Sequence, residues 1–172
     1  AYQHTLQRMQ QDIDIIERGI PIMAYLDQIE VQLVETKPMN LLSIRKVITP
    51  EEYTPIINSL MDRIGREGLT PAGAPMTLYH SQEYNPTAND TEIAIPVKEV
   101  VTGTRTLPGQ LCAKSTLTGP YPELRGVYAR LQSWIEENGY TVCDAAYEIY
   151  VGDPRLEEPE ALVTEVYVPV KK

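Results

Sequence analysis

The stretch Ala145-Ala146-Tyr147-Glu148-Ile149-Tyr150-Val151 has the aromatic and β-branched content and the two-residue period of a β-strand. Neighbouring side chains of a strand point to opposite faces, so Glu148 and Tyr150 share one face while Tyr147 and Ile149 share the other. Two environments fit Glu148. It could lie on a solvent-facing sheet surface, or in a strand buried on both sides, where a carboxylate needs a cation or hydrogen-bond donors. In the buried case, an acid beside tyrosines is a candidate floor for a site that binds an organic cation.

The sequence around this stretch is repeated earlier in the chain. At an offset of 71 residues, Thr77-Leu78-Tyr79 stands opposite Glu148-Ile149-Tyr150, and Glu67-Gly68-Leu69-Thr70 matches Asn138-Gly139-Tyr140-Thr141. With two more residues in the second turn, the segment 91–98 aligns with 164–171. These matches indicate an internal duplication.

Each copy predicts the order strand, helix, strand, strand. The hydrophobic pattern predicts a strand at 29–34, and in the first copy it predicts strands at 39–48, 76–82 and 90–101, with a turn at 83–89. Its helix begins at Thr49-Pro50, a cap followed by Pro at the first helical position, and ends near Gly65 to Gly68. In the second copy, strands are predicted at 104–117, 145–151 and 162–170, a helix at 120–138 and a turn at 152–160.

The duplication predicts an α+β fold. Neither β-α-β-β unit can bury its helix and sheet alone, so the two should pack about a pseudo-two-fold axis into an antiparallel sheet, with a central groove between the halves. The two copies carry different residues at three matching positions, as a functional site on one side of the groove would require. The first copy has Thr77, Ala94 and Arg63, whereas the second has Glu148, Tyr167 and Trp134 at the matching positions. One side of the groove has therefore gained an acid and two aromatic residues.

Composition excludes several classes of function. A net charge of −9 and a pI near 4.7 argue against binding nucleic acid through this chain, and suit a cationic or neutral partner. Eleven Tyr with one Trp and no Phe fit a wet, adaptable pocket, although Tyr is also favoured in strands. No apolar run approaches the roughly 18 residues that span a bilayer, and there is no secretory pattern at the N-terminus. We expect a cytoplasmic protein without a membrane partner.

Metal and cofactor chemistry have little support. Cys112 and Cys143 are far apart and have no companions at metal-ligand spacing, while His4 and His80 are isolated. The sequence therefore predicts no metal, no cofactor and no Ser-His triad.

The N-terminus has a heptad pattern with polar residues between its apolar positions. This narrow stripe predicts a coiled-coil helix that forms a homodimer, with packing on its own domain as the alternative. We divide the chain into a dimerisation helix with linker at 1–27 and a second domain at 28–172. Because the chain opens with Ala inside a helical pattern, we expect it to be part of a longer protein. The predicted seam residues are Tyr2, Leu6, Met9, Ile13, Ile16 and Ile20.

The duplicated unit carries three phrases that together resemble a known family. They are Tyr147-Glu148-Ile149-Tyr150, the helix phrase from Gly119-Pro120-Tyr121 through Trp134 to Tyr140, and the closing phrase at 165–170. In this order they resemble the GyrI-like, or effector-binding, domain of bacterial regulators over roughly residues 29 to 172. The resemblance implies binding of drug-like, often cationic and aromatic ligands, with Glu148 as the glutamate of a tyrosine-rich pocket.

The heptad helix extends this resemblance to regulators of the MerR family, in which a winged-helix DNA-binding domain precedes a dimerising helix and a sensor. This chain has no such DNA-binding segment, so it would contact DNA only through a domain outside it. In an AraC-type regulator the sensor would instead be attached to helix-turn-helix motifs, usually without the coil.

The leading hypothesis is a ligand sensor with no catalytic residue, in which Glu148 supplies charge and aromatic side chains supply stacking surface. For Trp134, and for Tyr128, ordinary packing between helix and sheet is an alternative. A hydrolase of reactive small-ring compounds, using Glu148 with Tyr150 or Tyr167, and a stand-alone inhibitor of another protein remain open. The candidate ligand-binding residues are Glu148, Tyr150, Tyr167, Tyr79, Tyr121, Trp134 and Tyr147.

Overall fold

The computed structural model describes residues 29–81 and 87–172 of the chain. The predicted N-terminal helix, with its six seam residues, lies outside the described residues, and so do residues 82–86, the last residue of a predicted strand and the first four of the predicted turn. Coiled-coil formation and dimerisation therefore stay predictions.

The described residues form one antiparallel sheet and two helices, which confirms the predicted α+β class. The helices are α1 (Tyr53–Glu67) and α2 (Leu124–Glu137). The strands follow the order β1-β6-β9-β8-β3-β4-β2-β5 across the sheet, and β7 pairs with β9. In chain order they are β1 (Gln32–Glu35), β2 (Met39–Ile48), β3 (Met76–Tyr79), β4 (Asn89–Pro96), β5 (Thr104–Leu107), β6 (Leu111–Thr118), β7 (Thr141–Val142), β8 (Ala146–Tyr150) and β9 (Val163–Lys171).

The two copies meet at the centre of the sheet. From there outward the order is β3-β4-β2-β5 in one direction and β8-β9-β6-β1 in the other. Thr77 on β3 pairs in register with Glu148 on β8, and these two residues occupy matching positions of the duplication. This arrangement is the one that a pseudo-two-fold axis between β3 and β8 requires.

The boundaries of α1 follow from its terminal residues. Pro50 begins a 3-10 turn, Pro50–Glu52, and α1 starts at Tyr53 immediately after it. The helix ends at Gly68, which adopts a left-handed conformation with φ of 65° that favours glycine. Gly65, the earlier of the two predicted stop residues, lies inside the helix.

The strand predicted at 104–117 is divided in two, which corrects that prediction. β5 pairs with β2, whereas β6 pairs with β1 and β9, so the chain passes from one half of the sheet to the other at residues 108–110. Residues 36–38 make the matching passage from β1 to β2. Links of three residues reach at most about 14 Å, so the sheet must bend until its two ends approach each other. The Thr36 N–H donates to the Gln110 carbonyl at 2.8 Å where the two links meet.

Two clusters of buried side chains attach the helices to one face of the sheet. Leu60 of α1 packs against Leu42 and Ile93 on β2 and β4, while Leu131 of α2 packs against Val166 on β9. The central strands β3 and β8 lie between these clusters. On the opposite face, a third cluster of Leu41, Met76, Leu78, Ala94, Leu107 and Tyr147 fills the bend of the sheet.

Candidate functional site

A groove runs between α1 and α2 over the central strands, with a volume of about 2280 Å³. Because α1 packs mainly on β2 and β4, and α2 on β6 and β9, the side chains of β3 and β8 on the helix-bearing face form the floor of the groove. The floor carries Thr77 and Tyr79 from β3, and Ala146, Glu148 and Tyr150 from β8. Only alternate residues of each strand take part, as the two-residue period of a strand requires.

Glu148 lies at the centre of this floor and is 5% exposed. Its Oε1 accepts hydrogen bonds from the hydroxyls of Tyr79 at 3.0 Å and Tyr150 at 2.8 Å. Its Oε2 accepts a third from the hydroxyl of Tyr128 at 2.6 Å. The buried environment predicted as one of two possibilities is therefore the observed one, and three phenol donors satisfy the carboxylate in place of a cationic side chain.

The three hydroxyls stay protonated donors at neutral pH. Burial raises the pKa of Tyr79, of Tyr128 and of Tyr150 well above the ordinary value of tyrosine, and the adjacent charge of Glu148 raises each further. The three hydroxyls therefore remain hydrogen-bond donors at physiological pH.

Tyr150 links the carboxylate to the groove walls. Its hydroxyl has one proton, so it donates to Glu148 and accepts from the Thr77 hydroxyl at 2.9 Å. The ring of Tyr53 meets it edge-on with centroids 6.4 Å apart, and that of Tyr121 does so at 5.8 Å. Tyr53 begins α1 and Tyr121 precedes α2, so both helices present an aromatic ring at this end of the groove.

Four of the seven predicted site residues come together in the groove: Glu148, Tyr150, Tyr79 and Tyr121. The other three lie outside it. Tyr147 points to the third cluster on the opposite face, and Tyr167 pairs with Tyr147 in register and stacks on its ring at 5.0 Å. Trp134 stacks on Tyr140 at 5.7 Å near the end of α2. Register partners share a face, so Tyr167 could not accompany Glu148, and we leave these three out of the proposed site.

Tyr128 and Tyr53 complete the aromatic lining, although neither is among the seven predicted site residues. For Tyr128, ordinary packing between helix and sheet is the alternative that the sequence leaves open. The hydroxyl of Tyr128 is the feature that indicates a further role, because a buried tyrosine hydroxyl needs a hydrogen-bond partner. The sequence does not show that this partner is a carboxylate from a strand of the sheet.

The cluster shapes what can bind in the groove. All three phenol protons point at Glu148, so a bound molecule meets the faces and edges of aromatic rings backed by a negative charge. Ring faces attract cations, and hydrogen bonding to an anion makes a phenol ring more electron-rich, which strengthens that attraction. The arrangement favours a flat or aryl-substituted cation over an anion or a strongly hydrated group.

A second buried carboxylate, Glu92, lies on the opposite face of the sheet. It is 2% exposed and accepts hydrogen bonds from Arg105 at 2.5 and 2.6 Å and from Ser43 at 2.7 Å, while His80 Nε2 lies 2.9 Å away. Burial opposes ionisation, but these hydrogen bonds outweigh it and lower the pKa of Glu92 to about 2. Since its own neighbours satisfy both oxygens, we interpret this cluster as structural.

Ionised Glu92 should make the free energy of unfolding decrease as the pH is lowered through the acidic range. Its pKa is lowered on folding from 4.5, so its contribution is complete above about pH 4.5 and is lost as the pH falls towards 2. Between pH 6 and pH 3 we expect it to account for about 2 kcal/mol of the decrease in free energy of unfolding. Urea denaturation of wild type and Glu92→Gln at both pH values measures this, and the variant should lose less stability than wild type.

The duplication supplies the control. Glu165 occupies the matching position of the second copy, and its contacts are with Lys114 at 3.4 Å and the Tyr167 hydroxyl at 3.1 Å. Glu165→Gln should leave most of the decrease between pH 6 and pH 3 in place. An equal decrease in wild type and Glu92→Gln would contradict the assignment.

Two further properties concern the described residues alone. Within 29–81 and 87–172, no three His, Cys, Asp or Glu side chains come together as a metal site. Neither α1 nor α2 is long and apolar enough to cross a lipid bilayer.

Comparison with known proteins places the fold in a family. The profile of the family described as GyrI-like small molecule binding domain matches residues 29–171. The crystal structure of the EcmrR C-terminal domain is similar at 26% identity with a TM-score of 0.76, covering 84% of this chain and 98% of that one. The EcmrR chain of a cryo-EM EcmrR-DNA complex gives the same TM-score at 24% identity, covering 99% of this chain and 70% of that one.

More distant structures share the fold. SAV2435 bound to tetraphenylphosphonium has 17% identity and a TM-score of 0.53, covering 83% of this chain and 94% of that one. A hydrolase encoded by lin2189 of Listeria innocua has 16% identity and a TM-score of 0.62, covering 83% and 92%. No curated protein sequence matches this chain significantly.

Proposed function

Because this chain belongs to the GyrI-like small-molecule binding domains, we propose that it binds aromatic organic cations in the groove over Glu148, as the ligand-sensing part of a bacterial transcription regulator. The observation that carries the proposal is the buried carboxylate held by three tyrosine hydroxyls on the groove floor.

Charge and aromatic surface both contribute to this recognition. A cation about 6 Å from Glu148 gains about 3 kcal/mol at an effective dielectric constant near 20, which corresponds to roughly 100-fold in affinity. Each cation–π contact adds about 0.5 to 2 kcal/mol, depending on how far water is excluded. Loss of hydration of the ligand offsets part of this gain.

The hydrogen bonds around Glu148 favour cations that carry no N–H donors. A primary ammonium or guanidinium ion keeps its hydration unless it finds acceptors, and both oxygens of Glu148 are already engaged by phenols. Phosphonium, quaternary ammonium and delocalised dye cations need no such acceptors. The tetraphenylphosphonium bound to SAV2435 is a cation of this kind, which supports the proposal.

The similarity to EcmrR supports the proposal that this chain belongs to a transcription regulator. A protein of that fold forms a complex with DNA, and its C-terminal domain has the fold of residues 29–172. We propose a MerR-type arrangement in which residues 1–27 dimerise, 28–172 bind ligand, and a separate domain outside this chain contacts DNA. Ligand binding would then shift the equilibrium between two arrangements of the dimer.

A titration with a matched pair of compounds tests the proposed function. Tetraphenylphosphonium is the cationic probe and triphenylphosphine oxide is its uncharged counterpart. We expect saturable binding of the cation, at least tenfold tighter than binding of the phosphine oxide, when calorimetry or tyrosine fluorescence is followed. Equal affinities would contradict recognition by charge, and no binding of either compound would contradict a small-molecule site.

The same mixtures distinguish a sensor from a hydrolase. The fold is shared with a hydrolase, so mass spectrometry of a hydrolysable ligand after incubation is part of the test. For a sensor the ligand is recovered intact. Turnover that disappears in Glu148→Gln would move the chain to the enzymatic alternative.

A further inference from the structure

The groove contains one charged side chain that recognition of a simple cation does not need. Three arginines line the groove: Arg45, Arg125 and Arg155. Arg45 forms a two-point ion pair with Asp90 at 2.7 and 2.9 Å, and Arg155 pairs with Asp153 at 2.9 Å. Arg125 makes no ion pair or hydrogen bond with any residue of 29–81 or 87–172. Its positive charge is therefore the uncompensated one among these three.

The stability of α2 does not explain this arginine. Arg125 is the second residue of the helix, and the first turn of a helix favours acidic side chains because the helix dipole is positive there. The side chain is also exposed, so it contributes no core packing. An arginine at this position destabilises the helix only slightly. A ligand that needs a cation here would account for its presence.

The position of Arg125 relates it to the tyrosine cluster. It lies three residues before Tyr128, whose hydroxyl contacts Glu148, so the two side chains emerge from the same side of α2 about one turn apart. One turn plus the length of a tyrosine side chain gives a separation on the order of 10 Å between the guanidinium and Glu148. That is the size of one substituted aromatic ring system.

Two other acidic residues of the groove, Asp90 and Asp153, are already paired with arginines. Glu136 is eleven residues further along α2, which is about 16 Å away at 1.5 Å per residue, and Asp144 bonds to Gln110 beyond the end of that helix. Among the described residues, the guanidinium at the start of α2 therefore has no acidic partner, while the buried carboxylate lies on the groove floor.

We propose that Arg125 binds an acidic substituent of the ligand, so that the groove takes aromatic cations that also carry a carboxylate or a sulfonate. The cationic part lies over the tyrosine cluster, and the acid lies at the start of α2. This inference rests on the proposed function and narrows its ligand class from cations to zwitterions.

Rhodamine B and its ethyl ester form a suitable pair of probes. Both have the same cationic xanthene ring, and only rhodamine B has a free carboxylate. Fluorescence anisotropy titrations at low salt give their dissociation constants with the purified chain. We expect Arg125→Gln to weaken rhodamine B about three- to fivefold, as for an exposed ion pair, and to leave the ester unchanged or slightly tighter because a like charge is removed. Raised salt should reduce the effect on rhodamine B.

Two matched variants complete the test. Arg155→Gln removes a groove arginine that is already paired, so it should change both dyes by the same small factor. Arg125→Lys keeps the charge and should retain most of the preference for rhodamine B. An equal change of both dyes in Arg125→Gln would overturn the inference.

Glu148→Gln distinguishes failure of this inference from failure of the proposed function. It should weaken both dyes, because both are cationic at the xanthene ring. If Glu148→Gln acts on both dyes and Arg125→Gln does not discriminate between them, the cation site stands and the acid subsite is wrong. If neither dye binds, or Glu148→Gln changes neither, the proposed function fails together with this inference.

Discussion

Replacing Glu148 by Gln should weaken the binding of tetraphenylphosphonium about 100-fold while changing the affinity for triphenylphosphine oxide less than threefold. Gln has nearly the same shape as Glu and can still accept hydrogen bonds from tyrosine hydroxyls, so the main change is the loss of one buried negative charge. A charge about 6 Å from a cation contributes about 3 kcal/mol at an effective dielectric constant near 20, which gives the expected factor. Isothermal titration calorimetry measures both affinities directly.

The control for this prediction removes a charge from the other face of the sheet. Glu165 lies beside Ile149 in register, points away from the groove and is paired with Lys114. Glu165→Gln should change the affinity for the cation less than threefold. A similar loss in both variants would show that overall charge, and not the position of Glu148, governs binding. A thermal melt of each variant checks that it is folded.

Replacing Tyr147 by Ala should lower the free energy of unfolding by about 3 to 5 kcal/mol. Tyr147 is 1% exposed, belongs to the third cluster and stacks on Tyr167. Truncation leaves a cavity inside the bend of the sheet, where the surrounding strands can collapse only partly. Urea denaturation followed by circular dichroism measures the loss, which for a domain of this size corresponds to a decrease in melting temperature on the order of 10 °C.

Milder variants at the same and a nearby position distinguish packing from ligand binding. Tyr147→Phe keeps the ring in the third cluster and should bind tetraphenylphosphonium like wild type. Tyr150→Phe removes a hydroxyl that bonds to Glu148 and Thr77, and it should weaken the cation several-fold. If Tyr147→Phe weakened binding as much as Tyr150→Phe, the assignment of these residues to opposite faces would be wrong.

The local patterns of the sequence predicted the elements well because each depends on near neighbours. The two-residue period around Glu148 placed Glu148 and Tyr150 on one face, as observed. The Thr49-Pro50 signal before α1 and the glycine at its end also depend on residues within a few positions of each other. The division between β5 and β6 has a local signal as well, the turn-forming pair Pro108-Gly109, which the prediction of one strand at 104–117 overlooked. Which half of the sheet each of these two strands joins is decided by pairing with distant strands.

Predicting which residues form the site would have required knowledge of contacts between residues that are far apart in the sequence. Tyr128 and Glu148 are twenty residues apart and belong to different elements, and their contact at 2.6 Å exists only because α2 packs across β9 and beside β8. Tyr167 was placed in the site by its closeness to Glu148 in the duplicated unit. Its face is decided by register, because it pairs with Tyr147 and not with Glu148.

By itself, the sequence determined the duplicated α+β pattern of elements and the shared face of Glu148 and Tyr150, and it left the burial of that face open. These follow from periodicity and from the matches between the two copies, which need no knowledge of three-dimensional packing. Only the tertiary structure decided that three tyrosine hydroxyls engage Glu148, that Tyr147 and Tyr167 lie on the opposite face, and that Arg125 is unpaired among the described residues. The physical reason is that hydrogen-bond partners, faces and ion pairs are set by strand register and helix packing, which bring together residues far apart in the chain.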